Sequence, residues 1–384
     1  MKSRVFAIDS RAGYKENAFG KLNRLLDAVG VDKGIKAQDL VALKLHFGEK
    51  GNTGFVSPLF VRQVVDKITA LKAQPFLTAL KAQPFLTDAN TLYGGTRNDS
   101  VNHLTTAIQN GFAFAVAGAP LIIADGLKGT SATQVQVDLK HIQTAYIAMD
   151  IVEADALISL AHFKGHELTG FGGTLKNLGM GCAARRGKLV QHSNLSPKVK
   201  SKHCEACGDC VKSCAHSAIS FVETGKKKKA RIDPEKCIGC AECILVCPNQ
   251  AIRVQWNKSV PQFMEKMVEY TAAVLKNKNG KAFFLNFLTH ISPVCDCVPH
   301  TDAPIVNDVG ILASTDPIAL DQASADLVNQ QAGLPGVCPE AGMKPGKDKF
   351  RALHPDADWT IQLDYGEKIG LGSRNYDLEW LETK

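Results

Sequence analysis

The sequence predicts an α/β protein, a largely parallel sheet interrupted by a small cysteine-rich insert. Three observations predict it. Short apolar runs alternate with helical patterns through most of the 384 residues. A doubled cysteine run breaks that alternation once. Polar and charged residues collect where the apolar runs end, as they do at the ligand-binding rim of open α/β sheets.

Taken in order, the strand candidates before the insert are "RVFAID" (4–9), "LVALKLHF" (40–47), "PFLTDAN" (84–90), "PLIIADG" (120–126) and "ALISLAHF" (156–163). After it come "AFFLNFL" (282–288) and "PIVNDVGILAS" (304–314). Helices are expected over 15–29, 57–72, 99–111, 259–276 and 317–331. The last starts with Asp316 as N-cap and Pro317 in its first turn. Residues 69–86, "TALKAQPFLTALKAQPFL", are a tandem repeat of nine residues. Pro75 and Pro84 forbid one helix through both copies, so one copy is expected as an added loop at a helix-to-strand junction, a slippage duplication tolerated at the surface.

Composition narrows the class. No apolar leader opens the sequence and no run reaches the roughly 18 apolar residues of a membrane span. A soluble protein is expected. Twelve cysteines in tight spacing suit metal ligation in a reducing cytoplasm rather than a disulfide scaffold. The formal charge of +7 drops to about +3 once eight thiolates hold two oxidised cubane clusters. That mild charge argues against nucleic acid as a partner.

Cys204, Cys207, Cys210 and Cys214 follow C-x2-C-x2-C-x3-C, and Cys237, Cys240, Cys243 and Cys247 repeat it. This is the spacing of bacterial two-cluster ferredoxins, in which the fourth cysteine of each run ligates the other cluster. The expected sets for two 4Fe–4S clusters are therefore Cys204, Cys207, Cys210 with Cys247, and Cys237, Cys240, Cys243 with Cys214. "CAHSAISFV" and "CPNQAIRVQ" extend the repeat into a strand in each half. Zinc closes with four ligands and would leave such runs over-supplied. Ala215 stands where the second run has Pro248. The basic run from Lys226 to Arg231 reads as a solvated hairpin turn. The boundaries expected are 1–196 and 257–384 for the α/β domain and 197–256 for the ferredoxin-like insert.

The strand ends supply the candidate site. After the second run come Lys44, His46 and Glu49; after the third Asp88, Asn90, Tyr93 and Arg97; after the fifth His162, Lys164 and His166. The stretches after the insert add Asn286, His290, Cys295, Cys297, Asp308 and Asp316. His46, His162, His166 and Lys176 are the candidates for substrate or anion binding and proton transfer. Gly170, Gly172, Gly173, Lys176, Arg185 and Arg186 read as an anion cradle, although the spacing matches no nucleotide motif. His290, Cys295, Cys297 and His300, joined by His192, make a further candidate metal site.

Together "KLHFGE", "TDANTLYGGTRNDS", "HFKGHELTGFGGTLKNLGMGC", the doubled cysteine runs, "ISPVCDC" and "ASTDPIALDQAS" resemble the ferredoxin-fused members of the family catalogued as domain of unknown function 362. The resemblance spans nearly the whole chain, apart from the duplicated nonapeptide. It implies an intracellular iron–sulfur protein and names no reaction. A shorter pattern, His166, Gly170, Phe171, Gly172, Gly173, Lys176 and His192, is similar to nickel-dependent lactate racemases. That similarity implies a nickel pincer cofactor held by Lys176, nickel ligation by His192 and proton exchange by His166.

The leading expectation is an oxidoreductase in which two clusters relay electrons from a soluble donor or acceptor protein to a small or anionic ligand at the rim. A non-enzymatic electron carrier or assembly partner and a racemase-like isomerase with structural clusters are the alternatives.

Overall fold

The computed structural model describes residues 2–71, 81–92, 94–192, 196–214, 216–225, 227–237, 242–253 and 260–381. Pro75, Tyr93, Ala215, Lys226 and the cluster candidate Cys240 lie outside them. The chain is mixed α/β around one eight-stranded sheet. Its strands are β1 (Ser3–Asp9), β2 (Leu40–Lys44), β3 (Gln83–Asp88), β4 (Leu121–Ile123), β5 (Ala156–His162), β6 (Ala282–Leu288), β7 (Gly310–Ser314) and β8 (Tyr376–Trp380). Their order across the sheet is β8-β1-β7-β6-β5-β2-β3-β4.

The sheet is mostly parallel, as expected, with one exception. β7 runs antiparallel to both of its neighbours, β1 and β6, while the other five pairings are parallel. No helix intervenes between β6 and β7, and a strand that returns without a crossover must run backwards. β8 is an edge strand that the sequence reading leaves out, because "YDLEW" is short and has mostly exposed positions.

The five expected helices form within a few residues of their forecast ends. The first pair are α1 (Ala18–Val29) and α2 (Pro58–Thr69). α1 opens with the Asn17 side chain accepting from Gly20 N and closes on Gly30 in the left-handed region, at φ 84°. α3 (Ser100–Ala107) passes into a π turn over Ile108–Phe112. Two short helices, α4 (Thr174–Gly179) and α5 (Arg185–His192), follow β5. α6 (Val260–Leu275) and α7 (Pro317–Gln330) complete the layers. Asp316 caps α7, its carboxylate accepting from Ile318 N and Ala319 N.

Both sheet faces are covered, which is why the central strands read as unbroken apolar runs. On one face Val41, Leu43, Ile158, Leu160, Leu285 and Phe287 pack with Leu22, Leu25 and Leu26 of α1 and Val61, Val64, Val65 and Ile68 of α2. On the other, Ala42, Leu157, Phe284 and Leu312 meet Met267 and Val268 of α6 and Leu320 and Ala323 of α7. No helix among the described residues is long and apolar enough to cross a membrane.

The cysteine-rich stretch makes separate small sheets. Ile219–Thr224 pairs antiparallel with Lys227–Ile232, and Lys198–Val199 with Ile252–Arg253. The second pairing brings the beginning and the end of the stretch together. The duplicated stretch begins at Thr69, the last residue of α2, and its second copy supplies the start of β3, from Gln83; the added loop expected between them lies outside the described residues.

The glycine-rich turn before α4 is not an open anion cradle. The Asp321 carboxylate of α7 already fills it, accepting from Thr174 N (2.8 Å), Leu175 N (2.9 Å) and Asn286 Nδ2 (2.7 Å). A Cβ on Gly173 would lie 2.4 Å from Asp321 Oδ1, so glycine serves an internal carboxylate there. Gly170, at φ 73°, lets Trp359 approach instead. Arg185 is wholly buried and donates to the carbonyls of Lys128, Asn98 and Thr91, while Arg186 lies over the Tyr146 ring.

Removing the Asp321 carboxylate leaves buried donors unmet, so Asp321→Ala is expected to cost about 3 kcal/mol, measured by denaturant unfolding. Burial raises the Asp321 pKa to about 6, against about 3.9 in an unfolded chain. The native state therefore holds a proton between those values that the unfolded state lacks, and Asp321 makes stability fall as pH rises from about 4 to 6. In Asp321→Asn that contribution is expected to disappear.

Candidate functional site

At the carboxyl ends of β2, β3 and β5 lies a cavity of about 360 Å³. β2 contributes Lys44 and, just past its end, His46; β3 contributes Asp88; β5 contributes His162. Thr91, Arg97, Lys164, His166, Glu167, Lys176, Asn177, Lys188, His192 and Cys297 complete the polar lining. All four candidates for substrate handling, His46, His162, His166 and Lys176, are thus in one wall.

Buried charges are paired in a chain along this wall. Lys44 Nζ lies 3.0 Å from Asp88 Oδ1 and donates to Asn177 Oδ1 at 2.9 Å. Arg97 joins Glu49 (3.1 Å) to Asp88 (3.5 Å). Burial alone would raise the Asp88 pKa, but Lys44, His103 and His46 outweigh it and hold the carboxyl well below its usual range. Lys164 Nζ reaches Asp296 Oδ2 at 3.2 Å. Glu49 and Asp296 do not line the cavity. Their partners Arg97 and Lys164 present positive ends to it.

The histidines divide by their bonding. His46 Nδ1 accepts from Gly48 N at 3.0 Å, and burial, helped by Arg97, drives its pKa well down. It is a neutral ring with its proton on Nε2. His166 has the same form: Nδ1 accepts from Leu168 N and Thr169 N, and burial with Lys176 lowers its pKa. His162 is different, with Nδ1 on Asp296 Oδ1 (2.9 Å) and Nε2 facing the carbonyls of Thr289 (3.0 Å) and His290 (3.1 Å). Both of its nitrogens are engaged by the protein, which makes it a brace. His192 stacks on Phe263, and burial, with His166, Lys176 and Lys188 nearby, lowers its pKa to about 3.

Cys295 and Cys297 meet His166, the three ligand atoms lying within 4.8 Å of one another. Lys176 Nζ donates to Cys295 Sγ at 3.2 Å and the Cys297 backbone N–H donates to the same sulfur at 3.4 Å. A hydrogen bond from Cys297 holds the Cys295 thiol well below its ordinary pKa; burial opposes this and Lys176 and His166 reinforce it. The same bond, with burial, raises Cys297. The pair shares one proton and one negative charge. Burial disfavours the Lys176 ammonium, but Cys295 and Cys297 prevail and keep it charged.

The metal grouping expected at His192, His290, Cys295 and Cys297 is therefore revised. His290 turns away, at φ 47°, with Nε2 on Asp302 O, and His166 takes its place. Asn286 is also internal, bonded to Asp321 and Ser324. Asp308 accepts from His290 N. The sequence reading missed Asp296, Lys188, Asn177 and Asp321; only Asp296, between two flagged cysteines, carried a local signal. The carboxyl-terminal segment does not close the cavity. Trp359 packs against Phe171 at 5.5 Å and Trp380 sits on the exposed edge strand.

A second, smaller cavity is lined by Cys204, Cys207, Cys210 and Cys247, the four residues expected to share a cluster. Backbone N–H groups point at the sulfurs. Ala218 N donates to Cys214 Sγ (3.3 Å) and Ala251 N to Cys247 Sγ (3.2 Å), each four residues on, so the repeat is visible in the bonding. Ala230 N donates to Cys204 Sγ at 3.4 Å, and Lys229 to the Cys204 carbonyl. Burial, then Cys247, Cys204 and Cys207, push the Cys210 thiol up, the mutual repulsion that a cationic centre would relieve. Ile244, next to Cys243, packs on Leu92 and Leu189, and Leu92 lines the larger cavity.

Comparison with known proteins adds the following. No curated protein matches the chain. Solved structures that match include the lactate racemase apoprotein from Thermoanaerobacterium thermosaccharolyticum and a protein from Thermotoga maritima. The first is 14% identical with a TM-score of 0.40, over 86% of this chain and 58% of the racemase. The second is 10% identical with a TM-score of 0.37, over 93% of this chain and 60% of that one. The chain thus spans less than two thirds of either. A family model described as a domain of unknown function, DUF362, matches residues 41–326, which hold all but the first and last strands of the sheet and both cavities. The chain belongs to the DUF362 family.

Proposed function

We propose that the protein is an iron–sulfur oxidoreductase that delivers electrons to a small anionic ligand in the larger cavity, with residues 197–256 as an inserted two-cluster ferredoxin-like domain. One observation carries the reading. Cys204, Cys207, Cys210 and Cys247, split between two runs, surround one small cavity as the crossed ligation of such clusters requires. Cys237, Cys240, Cys243 and Cys214 would hold the second cluster. When bound, 4Fe–4S clusters supply single electrons.

The chain's own residues would do the rest. Lys176 and Lys188 offer positive ends to an anion, and His46 presents Nε2–H as a donor. His162 braces the wall through Asp296. The contact of Ile244 with Leu92 supports a functional link, since it sets the segment bearing Cys243 against the wall of the ligand cavity. A soluble protein would be the electron donor or acceptor.

A racemase-like isomerisation is the second reading, favoured by His166, Lys176 and His192 lining the same cavity. Turnover that is indifferent to reductant would select it. Electron transfer to a partner that survives loss of both His166 and Lys176 would instead select a simple carrier.

The first test is composition. Anaerobically purified protein is expected to hold about eight irons and eight sulfides per chain, and Cys210→Ala about half as many. Zinc without sulfide, persisting after attempted reconstitution, would exclude electron transfer.

The ligand site makes a separate prediction. Burial lowers the Lys188 pKa to about 8, so its positive charge is present below that pH and is lost as pH rises through it. Oxalate affinity, followed by equilibrium dialysis, is expected to fall across this step, about tenfold between pH 7 and 9. Lys188→Met is expected to bind oxalate weakly at both.

A further inference from the structure

Cys295 and Cys297 have no task in the reading above, yet Cys297 lines the cavity and the Cys295 sulfur lies within 4.8 Å of its own. With His166 they have the spacing of a metal site. Two features argue against a metal there. His166 Nδ1 already accepts from Leu168 N (3.1 Å) and Thr169 N (3.2 Å), so the neutral ring keeps its proton on Nε2, the nitrogen a metal would need. The Lys176 ammonium, 3.2 Å from Cys295 Sγ, already balances one thiolate, and a divalent ion would be lodged beside that buried cation. The charge present suits a metal-free thiol and thiolate.

The two sulfurs are not equivalent. Cys295 is fully buried and absent from the lining, whereas Cys297 is half-buried and lines the cavity. We propose that Cys297 is a nucleophile that adds to the carbonyl carbon of a small 2-oxo or aldehydic carboxylate bound in the cavity, with Cys295 as the base that receives its proton.

The step balances within the residues named. A bond forms between Cys297 Sγ and carbon, the carbonyl π pair moves to oxygen, and the Cys297 proton passes to Cys295. Lys176, freed from its thiolate, protonates the alkoxide and then recovers a proton from Cys295. The sum is addition of S–H across C=O, with no change in net charge and no oxidant or reductant. The proposal rests on the anion-binding reading of the cavity and is independent of the clusters.

The test is alkylation of the full chain, purified anaerobically, with peptide mapping by mass spectrometry. Iodoacetate is expected to modify Cys297 at least about tenfold faster than iodoacetamide, because the cationic lining concentrates the anion. Glyoxylate is expected to protect Cys297, and Cys295→Ser or Lys176→Met to slow the modification. Reactivity without preference for the anion would overturn the substrate class together with the anion-binding reading. Failure of both reagents at Cys297 in protein that still binds oxalate would overturn the nucleophile alone. A glyoxylate adduct trapped on Lys176 by cyanoborohydride would move the chemistry to the amine, and a stoichiometric zinc ion that must be removed before alkylation would make this a metal site; either overturns the proposal.

Discussion

Asp296 ties the functional end of the sheet together. Its carboxylate, wholly buried, meets His162 (2.9 Å) and Lys164 (3.2 Å) from the end of β5. Its carbonyl accepts the N–H of Glu49, in the loop after β2, at 3.0 Å. One residue in the loop after β6 therefore holds the loops of two other strands. Burial would raise its pKa, but His162 and Lys164 outweigh that and keep the carboxylate ionised. A buried charge is tolerated only when fully paired, so the three loops are fixed relative to one another. Cys295 and Cys297 are held on either side of this anchor.

The same rule shapes the rest of the wall. Arg97 is paired with Glu49 and Lys164 with Asp296, carboxylates that lie behind the surface, so positive ends face inward without leaving a large uncompensated charge. The neutral histidines have Nδ1 occupied by backbone N–H groups, which fixes their tautomer. The result is a set of donors held in defined positions around the cavity, the preorganisation from which electrostatic contributions to binding or catalysis arise.

Much of this was legible in the sequence. Strands and helices carry their own period, and polar residues at strand ends converge because parallel strands finish at one edge. That logic located His46, Asp88, Arg97, His162 and His166 without any view of contacts. It failed where the partner is distant in the chain. Gly173 signals a close approach but not that Asp321 is what approaches, and Arg185 reads as part of an anion cradle although it serves buried carbonyls. The reversed direction of β7 was available in principle from the lack of a helix between 288 and 310. β8 did carry a signal, Tyr376, Leu378 and Trp380 alternating with Asp377 and Glu379, but over five half-exposed residues it was too short to stand out.

The amino end of β3, at Gln83, lies at the opposite end of that strand from Asp88 and the cavity. The six residues of β3 set these two ends about 20 Å apart. The sheet thus has a working edge and an edge remote from the ligand. A fluorophore, an affinity tag or a surface tether joined near the remote edge would report on the molecule or immobilise it with the ligand cavity facing away from the attachment.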